Sequence, residues 1–374
     1  MQGFYIVISL LIFGFLIFIH EFGHFISAKL LGVRVNEFAI NMGPKLFGWK
    51  RGETQYSVRL IPIGGYCAME GEDEDTDDPR SFLKAAWWKR LIILCAGAFM
   101  NLLTGFLVMV LLSAFCFRPP ITSTVSGFME EGNTVEEQGL RVGDEIYALN
   151  GQRIFIRSDF DLLESRLPEE QKHCDLTVRR KTEDGQYELV TLYNFDLTRK
   201  VEVRDENGEL QKDEEGNVKK YLGIYFATSD DTSFSAAIRY ATIQCYDFTR
   251  TVWYCLHDMV TGKVGVKEIG GPLQIVDTMT ETGMESETVQ DGVSTLLYIG
   301  AFLAVNLAVM NMLPIPALDG GRVLFLLINT VYTAITKKKI NPKYEMWLNG
   351  GALILLLGLM AIVFVKDFWT IFLS

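Results

Sequence analysis

The feature that most constrains this chain is an apolar run from Phe4 to about Leu31 whose only cluster of polar side chains is His20-Glu21-Phe22-Gly23-His24. A hydrocarbon layer roughly 30 Å thick takes about 20 helical residues to cross. Ionisable groups at that depth are costly and usually functional. Three more runs reach spanning length: the 27 residues between Arg90 and Arg118, a stretch from about Val293 to Leu313, and one from about Trp347 to Val365. The first run does not read as a cleaved leader, because no Lys or Arg precedes Lys29 and the apolar stretch is too long.

Flanking charge sets the expected orientation. Lys29, Arg34, Lys45, Lys50, Arg51, Arg59, Arg80, Lys84, Lys89 and Arg90 lie between the first two spans, and Arg322 and Lys337-Lys338-Lys339 follow the third. Basic residues near span ends favour the cytoplasmic side, which puts both termini and the large loop of about 119–290 outside. The net charge of −11, with no basic stripe elsewhere, speaks against a nucleic-acid partner.

Between the spans the pattern changes period. Residues 33–66 read as strands, with Gln55–Ile61 rich in β-branched and aromatic residues and Pro62 and Gly64-Gly65 ending it. The acidic run Glu70–Asp78 is expected to be a solvated loop. In the outer loop, Gly139-Leu140, Gly143-Asp144-Glu145-Ile146 and Asn150-Gly151 alternate turns with strand candidates. A short helix is expected over Asp159–Leu167, and strands over Cys174–Arg179, Tyr187–Leu192 and Tyr221–Phe226. Arg204–Lys220 has almost nothing to bury and reads as a hairpin or insertion. Residues 234–258 carry spaced apolar positions suited to a helix on the membrane surface. Cys174, Cys245 and Cys255 lie outside, too scattered for a disulfide framework, with one bridge left open.

The polar cluster in the first span is an H-E-x-x-H motif. On a helix, His20 and His24 share a face and can reach one metal, while Glu21 sits beside it as a proton acceptor for a bound water. The chain has only four histidines, so two of them at this spacing inside an apolar span argue against chance. A third ligand must come from elsewhere. Asn311-Met312-Leu313-Pro314-Ile315-Pro316-Ala317-Leu318-Asp319-Gly320-Gly321 breaks the third span with two prolines, and such non-helical backbone at membrane depth is tolerated only against protein or a polar cavity. Asp319 is thereby placed near the depth at which His20 and His24 need a partner; an ordinary helix break, with Asp319 as a cap, is the plain alternative, and Asn311 and Glu345 are weaker candidates.

Together these features resemble the site-2 protease family, in its bacterial PDZ-containing branch of regulated intramembrane zinc proteases. The marks are HEFGH, Leu60-Ile61-Pro62-Ile63-Gly64-Gly65-Tyr66, Gly270-Gly271-Pro272 with Ile275, the Gly139-to-Gly151 pattern of a PDZ core, and Asn311–Gly321. The resemblance implies one Zn2+ per chain held by His20, His24 and Asp319, with Glu21 as general base and Asn311 near the substrate backbone. It implies a hairpin around Gly64 and Gly65 that clamps an unwound substrate, and substrates that are single-pass membrane proteins such as anti-sigma factors, cut after a first protease has acted. Three departures stand out: Ala98 where the family usually has Pro, a less Gly-rich Asn41–Pro44 loop, and room for one PDZ domain where some relatives have two.

The expected architecture is a multi-pass α-helical membrane protein with four transmembrane helices, a membrane-associated β-hairpin and one extracytoplasmic PDZ-like α/β domain. Its parts are 1–118 (two spans with HExxH and the hairpin), 119–230 (PDZ-like), 231–292 (surface helix and Gly-Pro segment) and 293–374 (two spans with the LDGG motif). A transporter with a broken span, or an inactive PDZ-bearing scaffold, are the competing readings. No internal repeat supports transport, and a complete metal motif counts against both.

Overall fold

The computed structural model describes residues 1–72, 76–116, 121–129, 135–168, 173–198, 201–202, 210, 218, 220–263, 270–338 and 340–372. Among these, four helices span the membrane: Gln2–Leu31, Trp87–Phe115, Val289–Asn311 and Lys343–Trp369. By contacts the chain forms two compact units, one of residues Met1–Leu112 with Phe248–Ser374 and one of residues Ser113–Asp247.

In the first unit, α1 (Gln2–Leu31) runs unbroken, with no proline before Gly32 to interrupt it. Gly32, at φ 80, closes it, and Val33 N–H reaches back to the Ala28 carbonyl at 2.9 Å. The strands β1 (Val35–Arg51) and β2 (Thr54–Met69) follow. Each is bent in the middle: β1 where Asn41 (φ 67) and Gly43 (φ 83) take left-handed conformations, β2 at Gly64 (φ 82). Residues 35–40 therefore pair on one side with 55–58 and on the other with 65–69, while 45–51 pair with 54–59. The expected strand end at Gly64-Gly65 is a bend instead. The chain turns there and continues pairing to Met69.

The acidic run is also less solvated than expected. Asp78 pairs with Arg34 at 3.0 Å, the Asn36 amide donates to Glu70 at 2.8 Å, and Glu72 pairs with Arg322. Residues 73–75 of that run lie outside the described residues.

α2 (Trp87–Leu111) packs on α1 and on α6 (Val289–Asn311) through small residues. A Cβ on Gly23 would strike the Ala96 backbone of α2, and one on Gly105 would lie 3.0 Å from the Ala301 carbonyl of α6. Small residues at such crossings let backbones approach where lipid supplies no hydrophobic drive. The Ala98 departure costs nothing visible, since Ala98 is buried within α2. α5 (Pro272–Glu285), with Pro272 at its first turn after Gly270-Gly271, buries Met279 beside Tyr5 of α1. Asp367 of α8 (Pro342–Phe372) accepts the Gly271 and Gln274 amides at 3.3 Å, satisfying donors at the start of α5. Between the third and fourth spans lies a further helix, α7 (Asp319–Thr336).

In the second unit the sheet order is β10-β3-β4-β6-β7, with β5 paired to β4. Its strands are β3 (Ile121–Phe128), β4 (Glu145–Leu149), β5 (Gln152–Arg153), β6 (His173–Lys181), β7 (Tyr187–Asp196) and β10 (Ile224–Thr228). β8 (Val201–Glu202) and β9 (Lys220–Tyr221) form a separate small ladder. α3 (Arg157–Ser165) buries Phe160 and Leu163, and Phe160 meets Phe226 of β10 with ring centroids 5.9 Å apart; Ile146, Leu176 and Val178 of the sheet are fully buried as well. Asp144, nearly fully buried, receives Arg180 in a two-pronged pair at 2.7 and 2.8 Å, which satisfies both ions. Most of Arg204–Lys220 lies outside the described residues. α4 (Phe234–Val260) covers the expected helix segment, its residues from Phe248 on belonging to the first unit, and Cys174, Cys245 and Cys255 are all free thiols.

Candidate metal centre

The expected ligands converge. His20 and His24 project from one face of α1, and Asp319 is the first residue of α7. Asp319 Oδ2 lies 3.2 Å from Nε2 of His20 and 3.2 Å from Nε2 of His24, and the two Nε2 atoms are 3.4 Å apart. The cap reading of Asp319 fails on position, because the N-cap of α7 is Leu318.

This triangle fits a metal. Zinc–nitrogen bonds of about 2.0–2.1 Å and zinc–oxygen bonds of about 2.0–2.2 Å place tetrahedral ligand atoms ~3.3 Å from one another. His24 Nδ1 is 2.8 Å from the Ile93 carbonyl, which can only accept, so Nδ1 carries the proton and Nε2 keeps its lone pair. Asp319 Oδ2 is buried and has no hydrogen-bond donor of its own. Two imidazole nitrogens and a carboxylate oxygen grouped this closely are a donor set that could hold one metal ion.

Space for that cation comes from α2. A Cβ on Gly97 would collide with His24 Nε2 and lie 2.7 Å from His20 Cε1. Only a residue without a side chain leaves the imidazole tips clear. The signal for it was visible: Ala96-Gly97-Ala98 is a patch of small residues in an otherwise bulky span.

The glycines after Asp319 have a packing reason. A Cβ on Gly320 would strike the Met312 and Leu313 carbonyls, and one on Gly321 the Ile315 carbonyl. The first turn of α7 therefore lies directly on the proline loop, and that contact delivers Asp319 to the histidines.

A cavity of about 570 Å³ opens from the cluster, lined by His20, Glu21, His24 and Asp319 on one side and Tyr66–Gly71 on the other. Gly65 abuts Glu21: a Cβ there would sit 3.3 Å from the Glu21 Cγ and 3.0 Å from the Ala39 carbonyl. Gly64 turns in its left-handed conformation against the Met42 side chain. Among the described residues, 65–69 pair only with 35–40, so the other edge of this segment is unpaired where it borders the cavity. The Asn311 amide nitrogen is 3.4 Å from both ring nitrogens of His20.

The bent sheet is held by Glu37, which receives Ser57 Oγ at 2.5 Å and Arg59 at 2.9 Å. Burial raises the Glu37 carboxyl, but hydrogen bonds from Ser57, Tyr66 and Arg59 outweigh it and hold the group below its ordinary range. Burial, followed by the Glu37 contact, pushes Tyr66 up to about 12. Glu72 and Arg322, missed in the sequence because 250 positions separate them, tie the end of this sheet to the first turn of α7.

Comparison with known proteins gives a consistent picture. Residues 8–359 match the model of peptidase family M50. A Clostridium perfringens protein classed with the zinc metalloproteases is 34% identical, over 97% of this chain and 98% of its own. The regulator of sigma-W protease RasP of Bacillus subtilis is 27% identical, over 98% of this chain and 99% of its own. The zinc metalloprotease RasP of Bacillus licheniformis is 26% identical over the same shares.

Proposed function

This chain belongs to peptidase family M50, and from that premise we propose that it hydrolyses peptide bonds of single-pass membrane proteins, with His20, His24 and Asp319 holding one Zn2+ and Glu21 moving the proton. The chain is an intramembrane zinc metalloprotease of a bacterial membrane. The observation that carries it is the triangle of two imidazole nitrogens and one carboxylate oxygen facing a cavity bordered by an unpaired strand edge.

Zinc held there supplies Lewis acidity and brings the pKa of a bound water down to about 7. The chain does the rest. Glu21 takes a proton from the attacking water as its oxygen bonds to the scissile carbonyl carbon. The carbon–nitrogen bond then breaks, and Glu21 returns the proton to the departing amine. Asn311 donates its amide to the substrate backbone beside His20. The edge of Tyr66–Met69, entered through Gly64 and Gly65, pairs with an unwound substrate segment. A transmembrane helix hides its amides, and strand addition exposes them while keeping their hydrogen bonds satisfied.

The relative named as a regulator of sigma-W protease supports anti-sigma-type substrates. In the second unit, a cavity of about 310 Å³ between α3 and β10, lined by Met129, Phe160 and Leu222–Phe226, supports a PDZ-like role in admitting trimmed substrates. The basic residues between the first two spans support termini and PDZ-like domain outside, with the metal toward the cytoplasm.

The test is cleavage of a single-pass segment, with and without a bulky outer domain, by the purified protein in lipid nanodiscs. Glu21→Gln keeps size and removes the base, so turnover should fall by about 10²–10⁴ with zinc still bound. Normal turnover in this variant would move the proton role elsewhere.

A further inference from the structure

The loop that delivers Asp319 contains an alanine in an unusual conformation. Ala317 has φ 74, a region that an L-residue with a Cβ rarely enters and that needs support from its surroundings. Around it the loop bonds to itself: Ile315 N–H to the Leu313 carbonyl, Leu318 N–H to Ile315, Gly321 N–H to Leu318. The Ala317 N–H instead leaves the loop and donates to Oδ1 of Asn349, 3.1 Å away on α8. Ala317 lies two residues before Asp319, and both border the metal cavity.

Asn349 is a costly amide inside a membrane span. On α8 the half-buried positions Glu345, Asn349, Ala352 and Leu356 recur at helical spacing, while Tyr344, Trp347, Leu348 and Leu353 are exposed. That seam turns Asn349 toward the loop.

We propose that Asn349 is a positioning residue for Asp319: by holding the Ala317 N–H it fixes the left-handed turn that sets the carboxylate opposite His20 and His24. This rests on Asp319 being a metal ligand. Partners that orient ligands typically change metal affinity by about 10–100-fold when removed.

The test loads the purified full chain with Co2+, whose visible absorption reports coordination geometry, and follows its loss to a competing chelator. Asn349→Leu keeps the volume and removes the acceptor, so about tenfold weaker retention and a changed spectrum are expected. Ala317→Gly added to Asn349→Leu should recover most of the loss, because glycine takes φ 74 unaided. General loosening of α8 would not be repaired by a glycine in another segment. Should Asn349→Leu not fold, Asn349→Ser, too short to reach the loop, replaces it in the same comparison. Unchanged retention and spectrum in the Asn349 variant, or a loss that Ala317→Gly leaves unrepaired, would overturn the proposal. Absence of a tetrahedral cobalt spectrum in the unmodified protein would instead overturn the metal reading beneath it.

Discussion

Gly97 presents a bare Cα to the tips of His20 and His24, so that even a methyl group there would collide with His24 Nε2. Helix α2 thus contributes to the metal centre by what it lacks. Gly97→Ala separates site from fold with unusual clarity, because alanine is favoured over glycine in a helix interior by about 1 kcal/mol. The helix should hold while the methyl displaces one imidazole. Zinc per chain, measured on purified protein, should fall at least about tenfold after mild chelation, with the circular dichroism of the parent. Full zinc retention would mean that the histidines are not held against Gly97.

Gly65 tests the strand edge in the same way. Its missing Cβ leaves 3.3 Å to the Glu21 Cγ and 3.0 Å to the Ala39 carbonyl. Gly65→Val would push residues 65–69 away from the cavity without touching a metal ligand. Overpacking of this kind costs about 1–3 kcal/mol. Cleavage of a model transmembrane segment should drop, mainly through a higher KM, with zinc content unchanged. A normal KM would remove this edge from substrate binding.

Much of the site was legible because its chemistry is local. His20 and His24 share one helix face at i, i+4 spacing, and the proline break before Asp319 announces non-helical backbone at depth. The four spans were legible from length and composition alone. What escaped depends on contacts across long sequence separations. β2 passes through Gly64-Gly65 instead of ending, because residues 35–40 offer a second pairing edge that no local pattern reveals. α7 went unanticipated because the apolar stretch between Arg322 and the three lysines is too short to read as a span. Glu70, Glu72 and Asp78 read as a solvated run, yet each has a partner that only the fold supplies.

Orientation is tested separately from chemistry. Single cysteines placed at Lys338 and at Glu183, in a background lacking native cysteines, should label from opposite faces of intact cells with a membrane-impermeant maleimide. The Glu183 site should react from outside. Reaction of both from the same side would reject the charge-based topology.

Whether His20, His24 and Asp319 form one zinc site can be read from X-ray absorption at the zinc edge of the purified protein. The parent should show two imidazole nitrogens and oxygen ligands at about 2.0–2.2 Å. In Asp319→Asn the anionic oxygen is lost, so zinc occupancy should fall, any remaining metal should show an altered first shell, and cleavage should cease. A first shell identical to the parent, at full zinc occupancy, would mean that Asp319 is not a ligand.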